Sequence, residues 1–233
     1  MATKALTRKQ ETIVTLLETQ RQWVTDKSRF KLGMFSRQSG KTFAATLEVV
    51  DDVMAAQAEG RRSPWVILSR GERQAEEALE SGVMRHLEAY GIMMKSVARE
   101  VIEFYDADNI KRRGLQLVFP GRERNFIVAI PANPDTARGY SANMLFDEFA
   151  FHKDSRKIWA AAYPIITRGW SCRVISTPNG KGNMFYTLAT STDERWKQYR
   201  MDIYQAIAQG APLNAEELRA GLMDEDAWAQ EYE

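Results

Sequence analysis

The chain has 233 residues, with 32 Lys and Arg against 31 Asp and Glu, 44% apolar and 27% charged residues, and one cysteine. That composition excludes disorder and coiled coil, and suits one large or two small domains burying a full core. A formal charge of +1 gives no global pull toward nucleic acid, and Cys172 with only His86 and His152 cannot build a structural zinc site.

Hydrophobic periodicity, followed in chain order, alternates strand and helix signals. The N-terminal MATKALTRKQ carries Lys4, Arg8 and Lys9 and lacks the apolar centre of a signal peptide, so a cytoplasmic protein is expected. Phe30 to Phe35 reads as a short apolar strand. After the loop SRQSGKT, the spacing of Phe43, Leu47, Val50 and Met54 predicts a helix from Phe43 to Ala58. PWVILSR (64–70) is a continuous apolar run typical of a buried parallel strand, and Glu72 to Tyr90 a helix closed by Gly91. Between Val101 and Ile130 three strand-like pieces, VIEFYD, LQLVFP and FIVAIP, are separated by turn-rich NIKRRG and GRERN, which predicts a small β-rich insert with a basic edge. Ala142 to Phe149 reads as a strand ending in two acids, Asp154 to Tyr163 as a helix, Cys172 to Ser176 and 195–203 as strands, and 214–232 as a helix pair. The longest apolar run, Ile158 to Ile166, falls far short of the roughly 18 to 20 residues that span a bilayer, so no membrane segment is expected. Repeated β-α-β units predict an α/β fold with a mostly parallel sheet flanked by helices on both faces, and no linker composition divides residues 1–233.

In such sheets ligands gather beyond the carboxyl ends of the strands, and the candidate chemistry lies in loops that follow strands. Ser36-Arg37-Gln38-Ser39-Gly40-Lys41-Thr42 stands between a strand and a helix, the context of a phosphate-binding P-loop. Backbone N–H groups at the helix start would face phosphates, Lys41 would reach the β and γ phosphates of ATP, and Thr42 would ligate Mg²⁺. One position departs from the usual pattern: Phe35 replaces the first glycine. Asp147-Glu148 ends an apolar strand, where the first acid can hold Mg²⁺ and the second can polarise an attacking water. Ser176-Thr177-Pro178 ends the next strand and reads either as a sensor of the γ-phosphate or as a strand-ending turn. Gln10 reads as a ligand for the adenine edge or as a surface glutamine, and Arg138 as a phosphate-directed guanidinium on a loop or as a solvated one. The basic residues Lys111, Arg112, Arg113, Arg122 and Arg124 read as DNA-phosphate contacts or as hairpin turns. Cys172 is expected to be a small buried residue, and His152 a helix-start residue.

Taken together, LTRKQ, SRQSGKT, ARGYSANMLFDEFAF and VISTPNGKGNMFY resemble the large terminase subunit of tailed bacteriophages, the motor that pumps DNA into the procapsid, over nearly the whole chain. The resemblance implies a P-loop ATPase of the ASCE, RecA-like kind. In that family the P-loop lacks its first glycine and carries an early arginine, which matches Phe35 and Arg37 here. It also implies Gln10 in the adenine motif, Gly40, Lys41 and Thr42 in the P-loop, Asp147 and Glu148 as the acidic pair, and Ser176 and Thr177 as the coupling motif. Arg138 occupies the place of an arginine acting on a neighbouring subunit. Double-stranded DNA, the portal protein, the small terminase subunit and a homo-oligomeric ring on the procapsid in the host cytoplasm are the implied partners and setting. Family members continue into a nuclease, so the helices from about 214 are expected to lead toward it and cutting to be absent from this chain. A helicase-type ATPase shares these motifs but needs a second such domain. A scaffold with a degenerate nucleotide site would not need Lys41, Asp147 and Glu148 together.

Overall fold

The computed structural model describes residues 15–91, 97–105 and 110–233, and Gln10 lies outside them. Helix α1 (Glu18–Thr25) precedes strand β1 (Phe30–Phe35), whose C-terminal end turns into the long helix α2 (Lys41–Glu59). Strand β2 (Trp65–Ser69) leads into a helical run made of α3 (Glu72–Glu77), a π-helical segment (Ala78–Met84) and α4 (Arg85–Ala89). Gly82 explains how that run approaches α2: a Cβ there would meet Thr46 Oγ1 at 2.8 Å.

Strands β3 (Ala98–Tyr105), β4 (Lys111–Val118) and β5 (Phe126–Pro131) follow, then α5 (Pro134–Arg138), β6 (Asn143–Asp147), α6 (Ser155–Ile166), β7 (Cys172–Ser176), α7 (Met184–Ala189) and β8 (Trp196–Met201). Three helices end the chain: α8 (Ile203–Ala208), α9 (Ala215–Leu222) and α10 (Glu225–Tyr232). The eight strands form one sheet in the order β3-β4-β5-β2-β6-β7-β1-β8. From β5 to β8 every pairing is parallel, whereas β3 and β4 add antiparallel to one edge. The expected α/β architecture is therefore present, and strand β7 separates β1 from β6. No helix among the described residues is long and apolar enough to cross a membrane.

Side chains alternate between two apolar layers because successive strand residues point to opposite faces. Trp65 and Ile67 enter the layer under α2 and the 72–89 helical run; Val66 and Leu68 enter the layer under α6 and α7. Within the first layer sits a buried charge cluster. Glu48 of α2 accepts from Lys31 Nζ at 2.7 Å and from Arg173 Nε at 2.8 Å, and Lys31 and Arg173 are register neighbours on β1 and β7. Lys31 also donates to the carbonyls of Trp23 (2.5 Å) and Asp26 (2.9 Å), and Arg173 to that of Arg29 (2.8 Å). Burial pulls the Lys31 ammonium down to about 8 against the upward pull of Glu48.

Several elements differ from the sequence expectation for identifiable reasons. The KRRG part of NIKRRG is strand and not turn: Lys111, Arg112 and Arg113 open β4, paired across the ladder with Tyr105, Phe104 and Glu103. A hairpin at a sheet edge tolerates that polarity, and Glu103 holds both Lys111 (2.7 Å) and Arg113 (3.7 Å). The acidic strand stops at Asp147 because Glu148 adopts φ 53°. The last expected strand stops at Met201, where Asp202 caps α8 by accepting from Gln205 N at 2.7 Å while Gln205 Oε1 accepts from Asp202 N. The short helices α1, α5 and α7 carry too few turns for a periodic signal, and α6 runs past Tyr163 through Pro164 to Ile166.

Removing one member of a buried ion cluster leaves uncompensated charge, which costs about 3–5 kcal/mol. Glu48→Ala is therefore expected to lower the melting temperature by roughly 6–20 °C, at about 2–4 °C per kcal/mol for a chain of this size. Thermal unfolding followed by circular dichroism measures it, and a drop below about 2 °C would show that the cluster contributes little.

Candidate active site

Parallel pairing sends the C-terminal ends of β1, β2, β6 and β7 to one edge of the sheet, so Ser36, Arg70, Glu148 and Thr177 emerge side by side. A cleft of ≈ 460 Å³ opens there, lined among others by Arg37, Lys41, Arg70, Glu148, Thr177 and Glu231. A second cavity of ≈ 330 Å³ adjoins it through Gln74, Glu77 and Glu148 and reaches Thr42 and Asp147.

The loop from Ser36 to Gly40 has a shape set by local hydrogen bonds. Ser36 N donates to Met201 O (2.8 Å), Ser39 Oγ to Ser36 O (2.6 Å), and Gln38 and Gly40 adopt φ of 61° and 76°. Gln20 of α1 clamps the loop from outside, donating Nε2 to Ser39 O at 2.8 Å. Helix α2 then starts at Lys41 with no side chain capping its first turn. Its free N–H groups and the positive end of the helix dipole face the cleft, an arrangement that favours anions.

Opposite stand the two acids. Thr42 Oγ1 donates to Asp147 Oδ1 at 3.1 Å, and Lys41 Nζ lies 2.8 Å from Glu148 Oε1. Burial, reinforced by the neighbouring Glu148, pushes the Asp147 carboxyl up to about 7 against the opposing pull of Lys41 and Thr42. Glu148 Oε2 is buried without a hydrogen-bond partner. Two close carboxylates with one orphaned oxygen, beside a threonine hydroxyl, form an oxygen donor set with a charge deficit that a Mg²⁺ ion fits. The strained φ of Glu148 turns its carboxylate back toward Lys41.

Behind the acids, His152 donates its Nε2 hydrogen to Asp147 O at 2.7 Å. Burial lowers this imidazole to about 4, so it is neutral and the hydrogen bond selects the Nε2–H tautomer. It is thus a buried brace for the acidic turn and not a helix-start residue; α6 starts three residues later with Ser155. Ser176 Oγ accepts from Ala150 N at 3.1 Å, and Thr177 Oγ1 donates to Glu231 Oε2 at 3.4 Å. The two hydroxyls therefore connect β7 to the turn after Glu148 and to α10.

The structure brings Arg37, Lys41, Thr42, Asp147, Glu148 and Thr177 together around these cavities. Arg138 is at the end of α5 and does not line them. Cys172 is fully buried in the apolar layer and its thiol is pushed up by burial. Arg70, Gln20, His152 and Glu231 carry no site signal in the sequence reading above. For Arg70 one was available, since it directly follows a parallel strand; among the described residues it forms no ion pair. Gln20, His152 and Glu231 act through tertiary contacts that no local spacing encodes.

Comparison with known proteins gives consistent matches. Residues 32–233 match the family described as terminase large subunit, T4likevirus-type, N-terminal. The chain is 32% identical over 197 residues to the probable terminase large subunit gp28 of Escherichia phage Mu, covering 82% of this chain and 35% of that protein. It is 30% identical over 233 residues to the Mu-like prophage FluMu protein gp28 of Haemophilus influenzae, covering 91% of this chain and 44% of the relative. The chain thus spans less than half the length of both relatives. Among solved structures, the Thermus phage P74-26 large terminase ATPase domain superposes with a TM-score of 0.62 at 20% identity, covering 92% of this chain and 91% of that one. A large terminase from a thermophilic bacteriophage superposes with a TM-score of 0.64 at 16% identity, covering 94% of this chain and 52% of that one. At these identities the structural likeness establishes a shared fold.

Gly40 offers a direct test of the loop geometry. Its φ of 76° disfavours any side chain, and a Cβ would stand 2.5 Å from Gln20 Nε2. Gly40→Ala is expected to cost about 1–2 kcal/mol in backbone strain. It should also weaken polyphosphate binding by at least about tenfold (about 1.4 kcal/mol), because the N–H groups at the start of α2 are displaced. Calorimetric titration with pyrophosphate measures the affinity; unchanged binding would remove the loop from the site.

Proposed function

The chain belongs to the family of terminase large subunits, and on that premise we propose that it hydrolyses ATP to drive double-stranded DNA into a procapsid. The observation that carries the reading is the joint placement of the β1 loop and the β6 acids at one sheet edge, with Lys41 on Glu148 and Thr42 on Asp147. Phosphates would lie against the N–H groups of residues 38–42, with Lys41 and Arg37 balancing their charge. Thr42 and Asp147 would hold Mg²⁺, which when bound offsets charge on the β and γ phosphates. Glu148 would accept a proton from water as its oxygen attacks the γ-phosphorus and the bond to the β-phosphate oxygen breaks, giving ADP and inorganic phosphate. Ser176 and Thr177 would register loss of the γ-phosphate through Ala150 and α10. Gln10 is assigned to the adenine edge on the family resemblance alone.

The setting we propose is the host cytoplasm, in a homo-oligomeric ring on the procapsid with the portal protein, the small subunit and DNA as partners. Strand cleavage is not assigned to these residues. For DNA contact, Arg122 and Arg124 stand in the turn between β4 and β5, whereas Lys111 and Arg113 share Glu103.

The division of labour between the acids is tested by paired variants. Glu148→Gln keeps shape but cannot take the proton, so it is expected to retain ATP binding and lose about 10²–10⁴ in turnover. Asp147→Asn should in addition raise the Mg²⁺ concentration needed for half-maximal activity. Equal loss of ATP affinity in both variants would refute the separation of base from metal ligand.

Arg138 lines neither cavity of its own chain, which is compatible with action on a neighbouring site, and such arginines contribute about 10³–10⁵ in rate in other phosphoryl-transfer proteins. Mixing Glu148→Gln chains with Arg138→Ala chains under assembling conditions is expected to restore ATP turnover at mixed interfaces. Absence of rescue in demonstrably mixed assemblies would exclude action in trans.

A further inference from the structure

Helix α10 places one of its carboxylates inside the phosphate cleft. Glu231 O accepts from Arg37 N at 2.7 Å, and the Glu231 carboxylate lies 3.8 Å from the Arg37 guanidinium and accepts from Thr177 Oγ1 at 3.4 Å. Its side chain is only 18% exposed, and it lines the cleft that also holds Lys41 and Glu148. A single residue of the last helix therefore touches both the arginine at the start of the P-loop and the hydroxyl after β7.

Charge decides what this contact does. A carboxylate on Arg37 and Thr177 takes the place of an incoming phosphate oxygen, and a triphosphate in the same cleft would bring several negative charges close to it. In a partly desolvated cleft like charges repel strongly, while Arg37 gains more from a phosphate than from one distant carboxylate oxygen. We propose that Glu231 is an internal anion that positions Arg37 and Thr177 in the nucleotide-free site and is displaced when nucleotide phosphates bind, so that the place of α10 reports the occupancy of the cleft. This inference rests on the ATP-binding reading above. α10 is suited to such a response because its Trp228 and Tyr232 pack with Ile203 of α8 in a small cluster separate from the two main layers. Trp228, on the same helix as Glu231, donates its Nε1 hydrogen to Glu233 at 2.8 Å, which gives an indole reporter on α10.

The test uses the whole chain and Mg²⁺ with a non-hydrolysable ATP analogue. Glu231→Gln removes the competing charge and keeps the side-chain shape, so the analogue is expected to bind about three- to tenfold more tightly than to the parent chain. In the parent, analogue binding should increase amide hydrogen exchange across 225–232 and change the fluorescence of the chain. In Glu231→Gln and in Glu231→Ala the exchange should already be raised without nucleotide and change little on binding. Thr177→Val, which removes one donor to the carboxylate, should raise exchange across the same residues while leaving Glu231 in place, and so separates a loosened contact from a misfolded helix. Equal or weaker affinity in Glu231→Gln, with nucleotide-dependent exchange preserved, would overturn the inference while the parent still binds the analogue. Failure of the parent to bind any adenine nucleotide would overturn the ATP reading and this inference with it.

Discussion

The position of α2 on the sheet governs everything at the cleft, and a buried charge cluster sets that position. Glu48 is held between Lys31 and Arg173, which stand on adjacent strands at the same register. The helix cannot slide along the sheet without pulling Glu48 out of reach of both cations and leaving buried charge uncompensated. Two turns before Glu48 the same helix begins at Lys41 and Thr42, so its first turn is delivered to the C-terminal edge beside β6. Apolar packing alone would bury α2 but tolerate rotation and sliding; the ion cluster removes those alternatives, although burying it is not by itself a gain in stability.

With the helix fixed, the chemistry follows from which charges are compensated. Asp147 is deeply buried and disfavoured as an anion by Glu148, with Lys41 and the Thr42 hydroxyl as partial offsets. His152 stays neutral and serves the backbone of Asp147, so it brings no positive charge to the acids. The acidic pair is thus short of cation, and a divalent ion is the chemically appropriate complement. The left-handed backbone at Glu148 contributes as well: it interrupts the strand and points the second carboxylate to the side occupied by Lys41.

How much of this could be read from the chain depends on the range of the interaction. Strand–loop–helix patterns around SRQSGKT and the acids after an apolar strand are local, and they bring the loop and the Asp147-Glu148 pair to one edge of the sheet. The alternation of apolar runs likewise indicates a mostly parallel sheet. Edge geometry is not legible, because Lys111 to Gly114 has the composition of a turn and becomes a strand only through pairing with β3. Gln20, His152 and Glu231 escape notice for a different reason. Each matters through a contact with backbone or side chain brought near by the fold, and Glu231 meets Thr177 from 54 positions away.

The cleft keeps its cations in reserve. Lys41 is neutralised by Glu148 and Arg37 by Glu231, while Arg70 alone among the cleft's basic residues has no carboxylate partner among the described residues. Three unpaired cations so close together would repel one another and destabilise the free protein. Pairing two of them with side-chain acids avoids that cost, and on the proposed reading a phosphate chain would exchange those pairs one for one. The two acids released are then unequal in consequence: Glu148 stays on a rigid turn braced by His152 and Ser176, whereas Glu231 belongs to a helix attached through a small cluster of its own. On the proposed reading, the same exchange of partners would leave one carboxylate placed for proton transfer and set the other free to move its helix.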